Sequence, residues 1–281
     1  MAIILDGKSL ARDIKKDIKN QVMQMKQPPG LAVIIVGDNP ASRIYVDGKK
    51  KDCKACGILS REYALPKEVG QDKLLALIKE LNQDNDIHGI LVQHPLPDGY
   101  DYKSLIHNIS PDKDVDAFHV TTTGRVMSGD YGFLPCTPAG VIALLDHYKV
   151  DPLGKHCVVV GHSNIVGKPM AMMLLNRNAT VTVCHIHTAD LAAHTKQADI
   201  LICAVGKVNL ITADMVKPQA VVIDVGQNRI EAGLCGDVDF DAVSKVASYI
   251  TPVPGGVGPM TRAMLMKNTL FARLNKMASP L

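Results

Sequence analysis

Residues 158–169 read Val158-Val159-Val160-Gly161-His162-Ser163-Asn164-Ile165-Val166-Gly167-Lys168-Pro169. The β-branched run makes a buried strand, glycines bound a short turn, and a helix opens near Gly167. A helix N-terminus aimed out of such a turn binds phosphate through free N–H groups and the positive end of the helix dipole. The spacing is G-x-S-x-x-x-G rather than G-x-G-x-x-G, so the turn alone is weak evidence for a dinucleotide. Its setting is stronger. Strand-like runs at His156–Val160, Thr180–Cys184, Asp199–Ala204 and Ala220–Val225, with helix patterns between the first three, give the rhythm of a doubly wound parallel sheet.

In such sheets ligands collect at carboxyl strand ends. Here those ends carry Val205-Gly206, Asp224-Val225-Gly226 and Thr251. Thr251 begins TPVPGGVGPMT (251–261), which follows the apolar run Ala247–Ile250 and reads as a strand-to-helix loop. Gly255, Gly256 and Gly258 alternate there with Pro252, Pro254 and Pro259. Prolines fix φ and remove donors, while glycines permit positive φ and leave the main chain bare. A stiff wall on which a flat ligand can lie is favoured over an ordinary tight turn. Thr261 is expected to cap a last helix that runs to about Met277. NAD-binding folds place an acid after the second strand for the ribose 2′-OH. Here that strand ends Cys184-His185-Ile186-His187 without one, which leans towards NADP; His185 and His187 read equally as exposed loop residues.

The first half also alternates. Leu10, Ile14, Ile18 and Val22 recur at helical spacing, and Leu31–Val36, Glu62–Leu65 and Gly89–Gln93 read as strands. Helices are expected at Ser42–Cys56, ended by Gly57, and at Asp72–Leu81, with Leu74, Leu75, Leu77, Ile78 and Leu81 inward. The result is βαβαβ, a parallel sheet with right-handed crossovers. Thr137-Pro138 reads as an N-cap and first helical residue of a helix to about Tyr148, near the domain boundary. The last helix is expected to return to the first domain.

The chain has 281 residues, enough for two domains, and a net charge of +3, which does not call for nucleic acid. Its longest apolar runs are strand-length, too short to span a membrane, and the N-terminus carries no signal-type segment. A cytoplasmic protein is expected. The seven cysteines, an odd number lying mostly in apolar runs, read as reduced buried thiols. Cys53-Lys-Ala-Cys56 has no second pair to complete a zinc site, so no metal is expected.

Tyr45 and Lys49 share one helix face near the carboxyl edge of the first sheet, where partial burial and neighbouring ammonium groups could bring Lys49 into acid/base range. Gln93 ends the third strand before Pro95 and Pro97. Tyr-x-x-x-Lys also occurs in short-chain dehydrogenases, but there it follows the glycine-rich turn, whereas here it precedes Gly161 by a domain. Asp112, Asp114 and Asp116 mimic a calcium loop, yet Ala117 stands where Gly is needed and Thr123 where Glu is needed. What remains is a solvated acidic turn or a carboxylate that pairs with an amino-pyrimidine edge.

Together, GDNPASRIYVDGKK (37–50), GILVQHPLP (89–97), PDKDVDAFH (111–119), PCTPAG (135–140), VVVGHSNIVGKP (158–169), VIDVGQN (222–228) and TPVPGGVGPMT (251–261) resemble the bifunctional methylenetetrahydrofolate dehydrogenase/methenyltetrahydrofolate cyclohydrolase family over essentially the full length. The resemblance implies a two-domain α/β fold: an N-terminal three-layer α/β domain and a C-terminal Rossmann-like domain, with a cleft between them. The folate-binding catalytic domain would span 1–138, completed by helix 262–281, and the NADP-binding domain 139–261. Lys49 would be the catalytic lysine, Tyr45 would pack on the folate ring, Gln93 would assist and Asp116 would anchor the pterin. Pro254, Gly255 and Gly256 would touch substrate. Gly161, His162, Ser163, Ile165, Val166 and Gly167 would hold the cofactor phosphates. His185, Ile186, Thr188, Val205, Gly206, Asp224, Gly226, Thr251, Gly258 and Thr261 would complete the cofactor site. His94, Ala117, Gln227, His162 and Ile186 depart from the family's usual Leu, Gly, Ile, Arg, and Ser or Arg. The last two bear on the 2′-phosphate, so NADP is expected with NAD as the alternative. The implied activities are oxidation of methylenetetrahydrofolate and hydrolysis to 10-formyltetrahydrofolate, in one-carbon metabolism and purine biosynthesis, by a homodimer joined through its cofactor domains. Alternatives are a dehydrogenase alone or a nucleotide-binding regulator on the same scaffold; retention of Tyr45, Lys49, Gln93 and Asp116 argues against the regulator.

Overall fold

The computed structural model describes residues 1–231 and 233–278. It opens with β1 (Ile3–Ile4), too short for any alternation to announce it. In α1 (Gly7–Val22) the four-residue stripe turns inward: Ile18 and Val22 are buried, Leu10 and Ile14 half-buried. Next come β2 (Gly30–Val36), buried along its whole length, and α2 (Pro40–Cys56). That helix stops at Gly57, whose φ of +74° suits glycine. β3 (Leu59–Leu65), α3 (Gln71–Gln83) and β4 (Gly89–Val92) complete a three-stranded parallel sheet in the order β3-β2-β4. Of the leucines expected inward on α3, Leu75 and Leu77 are only half-buried, while Leu74, Ile78 and Leu81 carry the core contact.

Two helices follow that periodicity does not reveal, α4 (Tyr102–His107) and α5 (Val120–Ser128). Asp101 caps α4 by accepting the Ser104 N–H at 3.0 Å. α6 (Cys136–His147) corrects the expected start: it opens at Cys136 behind Pro135, without a side-chain cap. Thr137 is inside the helix, its hydroxyl 2.9 Å from that of Thr261.

The second sheet takes β5 (His156–Val160), then α7 (Gly167–Leu175), β6 (Thr180–Cys184), α8 (Leu191–Thr195), β7 (Ile200–Cys203) and β8 (Val221–Asp224). A small antiparallel pair, β9 (Asn228–Ile230) with β10 (Gly233–Cys235), precedes α9 (Phe240–Val243) and β11 (Tyr249–Ile250). The six-stranded order is β1-β11-β8-β7-β5-β6, with parallel pairing throughout. α10 (Val257–Ala278) starts earlier than the sequence suggests. Thr261 is therefore not its cap; its hydroxyl donates to the Val257 carbonyl at 3.3 Å, one turn back.

The chain forms two units, and their division differs from a cut at residue 138. Met1–Ala11 and Pro135–Thr261 go with the second sheet, because β1 hydrogen-bonds to β11 in register Ile3↔Tyr249. Arg12–Arg125, Tyr131–Leu134 and the chain from Arg262 form the unit around the first sheet, while Val126–Asp130 goes with the other. There α10 brings Met266 Sδ to 3.6 Å from Cys53 Sγ and Phe271 edge-on to Phe133. Of the expected helix 262–281, residues 279–281 lie outside the described residues. Among the described residues no helix is long and apolar enough to cross a membrane.

Candidate active site

α2 leaves the carboxyl end of β2, and its pitch places Tyr45 and Lys49 one turn apart. Tyr45 is 41% exposed. Lys49 Nζ donates to Gln93 Oε1 at 3.0 Å. Gln93 is buried just past β4, and its Nε2 donates to the His94 carbonyl at 2.7 Å. That second bond fixes which way the amide points, so the oxygen faces the lysine. The structure thus brings Lys49 and Gln93 together from α2 and β4. Beneath α2, buried Asp52 takes Lys15 Nζ at 2.7 Å and Arg262 Nε at 3.2 Å. The Arg262 guanidinium lies close over Gly48, where any larger side chain would make its tip shift. No sequence pattern pointed to Arg262.

The acidic segment 111–116 divides its labour. Asp114 is buried and accepts the main-chain N–H groups of His119 at 2.8 Å and Phe118 at 3.2 Å, and the Thr122 hydroxyl at 3.0 Å. Burial pushes its carboxyl above the usual carboxylate range against those bonds. Lys113 Nζ donates to the Leu81 and Asp84 carbonyls at 2.8 and 2.7 Å, satisfying the C-terminal end of α3. Asp116 is left half-buried, and it and Asp114 add to the burial that raises the Tyr102 phenol. Tyr102 packs against His94 with tilted rings, centroids 4.8 Å apart, a neighbourhood the sequence did not signal. The CxxC thiols are inert: burial pushes Cys53 up to about 12 and Cys56 to about 11.

In the other unit, Gly161 has φ +121°, and a Cβ there would stand 2.3 Å from the Ala204 carbonyl oxygen. A Cβ on Gly167 would stand 2.0 Å from the Gly161 carbonyl oxygen. Both glycines are demanded by close packing of β5, α7 and the end of β7. Between them His162, Ser163 and Ile165 are exposed, and Ser163 Oγ accepts the Val166 N–H at 3.2 Å. The next N–H, that of Gly167 at the start of α7, also turns to Ser163 Oγ, at 3.4 Å. After β6, His185 donates its N–H to Thr188 Oγ1 at 2.8 Å, while Ile186 is 87% exposed.

Asp224 stands at the end of β8, its carboxylate engaged with main chain. Its carboxylate accepts the N–H groups of Gly226 (2.9 Å), Asp237 (3.0 Å) and Val238 (2.9 Å), and Thr251 Oγ1 accepts its own N–H at 2.7 Å. Burial lifts its pKa to about 6, and the Asp237 charge adds to the rise. Asp237, which sequence reasoning missed, is fully buried and accepts from Val205 N, Gly206 N, Lys207 N and Asn228 Nδ2. It fixes the strand end the sequence singled out at Val205-Gly206. An Asp between two glycine-flanked strands carries no periodic signal.

The loop after β11 passes through Pro252, Pro254, Gly255 (φ +117°) and Gly256, and with Gly226, Gln227 and Gly258 it lines a cavity of about 80 Å³. Lys8 N donates to the Gly255 carbonyl at 2.8 Å, tying this wall to the start of α1. A Cβ on Gly258 would meet Gln227 Nε2 at 2.4 Å.

The chain matches two family models: tetrahydrofolate dehydrogenase/cyclohydrolase, catalytic domain, over residues 5–116, and its NAD(P)-binding domain, over residues 135–277. It is 54% identical over 275 residues to the bifunctional protein FolD of Paracidovorax citrulli, covering 96% of this chain and 97% of that one. The crystal structure of the bifunctional FolD methylenetetrahydrofolate dehydrogenase/cyclohydrolase from Campylobacter jejuni superposes with TM-score 0.97 at 53% identity, over 98% and 100% of the two chains. The Trypanosoma brucei dehydrogenase-cyclohydrolase, solved with NADP cofactor and an inhibitor, does so with TM-score 0.95 at 37% identity, over 99% of each. This chain belongs to the tetrahydrofolate dehydrogenase/cyclohydrolase family.

Proposed function

We propose that this protein oxidises methylenetetrahydrofolate to methenyltetrahydrofolate with NADP and hydrolyses the product to 10-formyltetrahydrofolate. The observation that carries the reading is the Lys49–Gln93 contact of 3.0 Å in a chain whose other unit has the glycine-bounded turn of an NAD(P)-binding domain. The nicotinamide, when bound, takes up the hydride released by the one-carbon bridge. The turn 161–167 holds the phosphates, and the strand ends at Val205-Gly206 and Thr251 border the same dinucleotide. The residues of the chain contribute positioning to that step: Tyr45 lies on the folate ring, Asp116 pairs with the amino-pyrimidine, and Pro254, Gly255 and Gly256 form a wall.

Hydrolysis needs a proton carrier. Water adds to the methenyl carbon and loses a proton; the hydroxyl of the adduct then loses its own proton to become the carbonyl as the carbon–N5 bond breaks and N5 gains one, leaving the formyl group on N10 with one proton released overall. Lys49 serves as the acid/base group, and the oriented Gln93 oxygen holds its ammonium in place. Lys49→Met is expected to reduce cyclohydrolase turnover by ~10²–10⁴-fold with folate binding retained. A purified variant that hydrolyses methenyltetrahydrofolate within about threefold of wild type would overturn this role.

We also place the enzyme in the cytoplasm, in one-carbon metabolism that supplies purine synthesis, as a homodimer joined through its cofactor units. The unpaired, mostly buried cysteines support a reducing compartment. Sedimentation of the purified chain at twice the monomer mass is the expected check of the dimer.

A further inference from the structure

We propose that His162 and His187, arranged around His185, read the 2′-phosphate of NADP through their protonation, so that pH sets the preference for NADP over NAD. The proposal rests on the dinucleotide reading above.

Three imidazoles gather at the carboxyl ends of β5 and β6. The His162 and His185 ring centroids are 4.8 Å apart, and those of His185 and His187 are 6.0 Å apart. The middle ring is fixed, because His185 Nδ1 accepts the main-chain N–H of His187 at 3.1 Å. The outer two imidazoles are exposed.

Dinucleotide folds place at this strand end the group that meets the adenine ribose, an acid for a 2′-OH or a cation for a 2′-phosphate. Residues 185–188 carry no acid, and Ile186 contributes no charge. The charged groups on adjoining segments are Lys168 on α7, its Nζ 2.8 Å from Asn164 Oδ1, Lys207 after β7, and Asp190, which caps α8 by accepting the Ala193 N–H at 3.1 Å. His194 on α8 is the remaining imidazole nearby in sequence. Ammonium and carboxylate groups do not ordinarily titrate near neutrality, whereas imidazole does. The histidines are therefore the groups that make the phosphate site vary with pH.

One protonated ring disfavours a second within a few ångströms, and a dianion beside them removes that penalty. NADP binding therefore draws in protons, and the imidazole pKa is higher in the bound state than in the free one. The extra affinity is full below the free value of ~6.5 and fades as pH rises through the bound value. A phosphate monoester itself ionises a second time near ~6 and becomes more anionic as pH rises, which acts in the opposite direction. A preference that falls with pH thus cannot come from the ligand.

The test is calorimetric titration of the full chain with NADP and with NAD, from about pH 6 to 8, in buffers of differing ionisation enthalpy. The ratio of dissociation constants is expected to favour NADP and to fall roughly tenfold across that range. NADP should take up protons near neutrality in excess of NAD. His162→Arg should flatten the profile while keeping the preference, His187→Ala should lower its slope, and His194→Ala should leave it unchanged. A constant ratio with no excess proton uptake overturns the proposal while the dinucleotide site stands. Failure of both dinucleotides to bind at any pH removes the dinucleotide reading and this proposal with it.

Discussion

At the scale of single residues, Asp114 and Asp116 show how two like side chains two positions apart come to different uses. Asp114 is buried on main-chain donors and shapes the loop, whereas Asp116 stays half-buried. Asp116→Asn should weaken folate binding far more than dinucleotide binding, because the amide sets an NH₂ against a donor, a mismatch of ~1–3 kcal/mol. Separate binding titrations decide it, and equal losses for both ligands would show that the residue serves the loop alone. The Lys49–Gln93 contact was legible in the sequence, since helix pitch and strand ends put both residues at the carboxyl edge of the first sheet. Asp114, Lys113, Asp237 and Arg262 were not, since each acts through bonds to main chain or to distant residues that no local period encodes. Ala117 marks the limit well. Its φ of +64° is a left-handed position that suits glycine better than alanine.

At the scale of elements, the β5 turn and α7 are held together by two glycines for reasons of space. Gly167→Ala would drive a methyl into the Gly161 carbonyl, 2.0 Å from the ideal Cβ, and the turn can yield only by opening. Dinucleotide binding should fall at least tenfold, about 1.4 kcal/mol, with a lower Tm. Gly70→Ala is the contrast: its φ is +84° but nothing lies within 4 Å, so it should cost only ~1–2 kcal/mol of backbone strain and leave dinucleotide binding intact. Fluorescence titration with the reduced dinucleotide beside thermal melts separates them; equal effects from the two substitutions would mean that packing at the turn is not what matters. The parallel strands and long helices were readable because burial on both faces leaves continuous apolar runs. β1 and the β9–β10 pair were not, being only two or three residues long. The start of α10 was misread for a related reason, since Gly258 and Pro259 argue locally against a helix that the first-turn position tolerates.

At the scale of the whole molecule, the stability of the six-stranded unit is tied to pH through a buried carboxyl. Asp224 has a folded pKa of about 6, raised chiefly by burial and further by the Asp237 charge. An unfolded Asp titrates near ~3.9, so between those values the folded chain binds the extra proton. Stability from this group is therefore greatest at the acid end and falls as pH rises towards 6, levelling off beyond it. Asp199 works the other way: Lys217 at 2.6 Å and the His156 N–H hold its carboxyl low, so its contribution is present at neutral pH and lost on acidification. Asp224→Asn removes the first titration and keeps the second. The stability difference between wild type and this variant, from urea unfolding, should shrink by on the order of 1–3 kcal/mol between about pH 4 and 6 and stay flat above. Should the variant not fold, carboxyl NMR of the wild-type chain gives the same answer through the Asp224 midpoint. A midpoint near the free value, or a stability difference that ignores pH, would place the strain of this buried acid pair elsewhere than on Asp224.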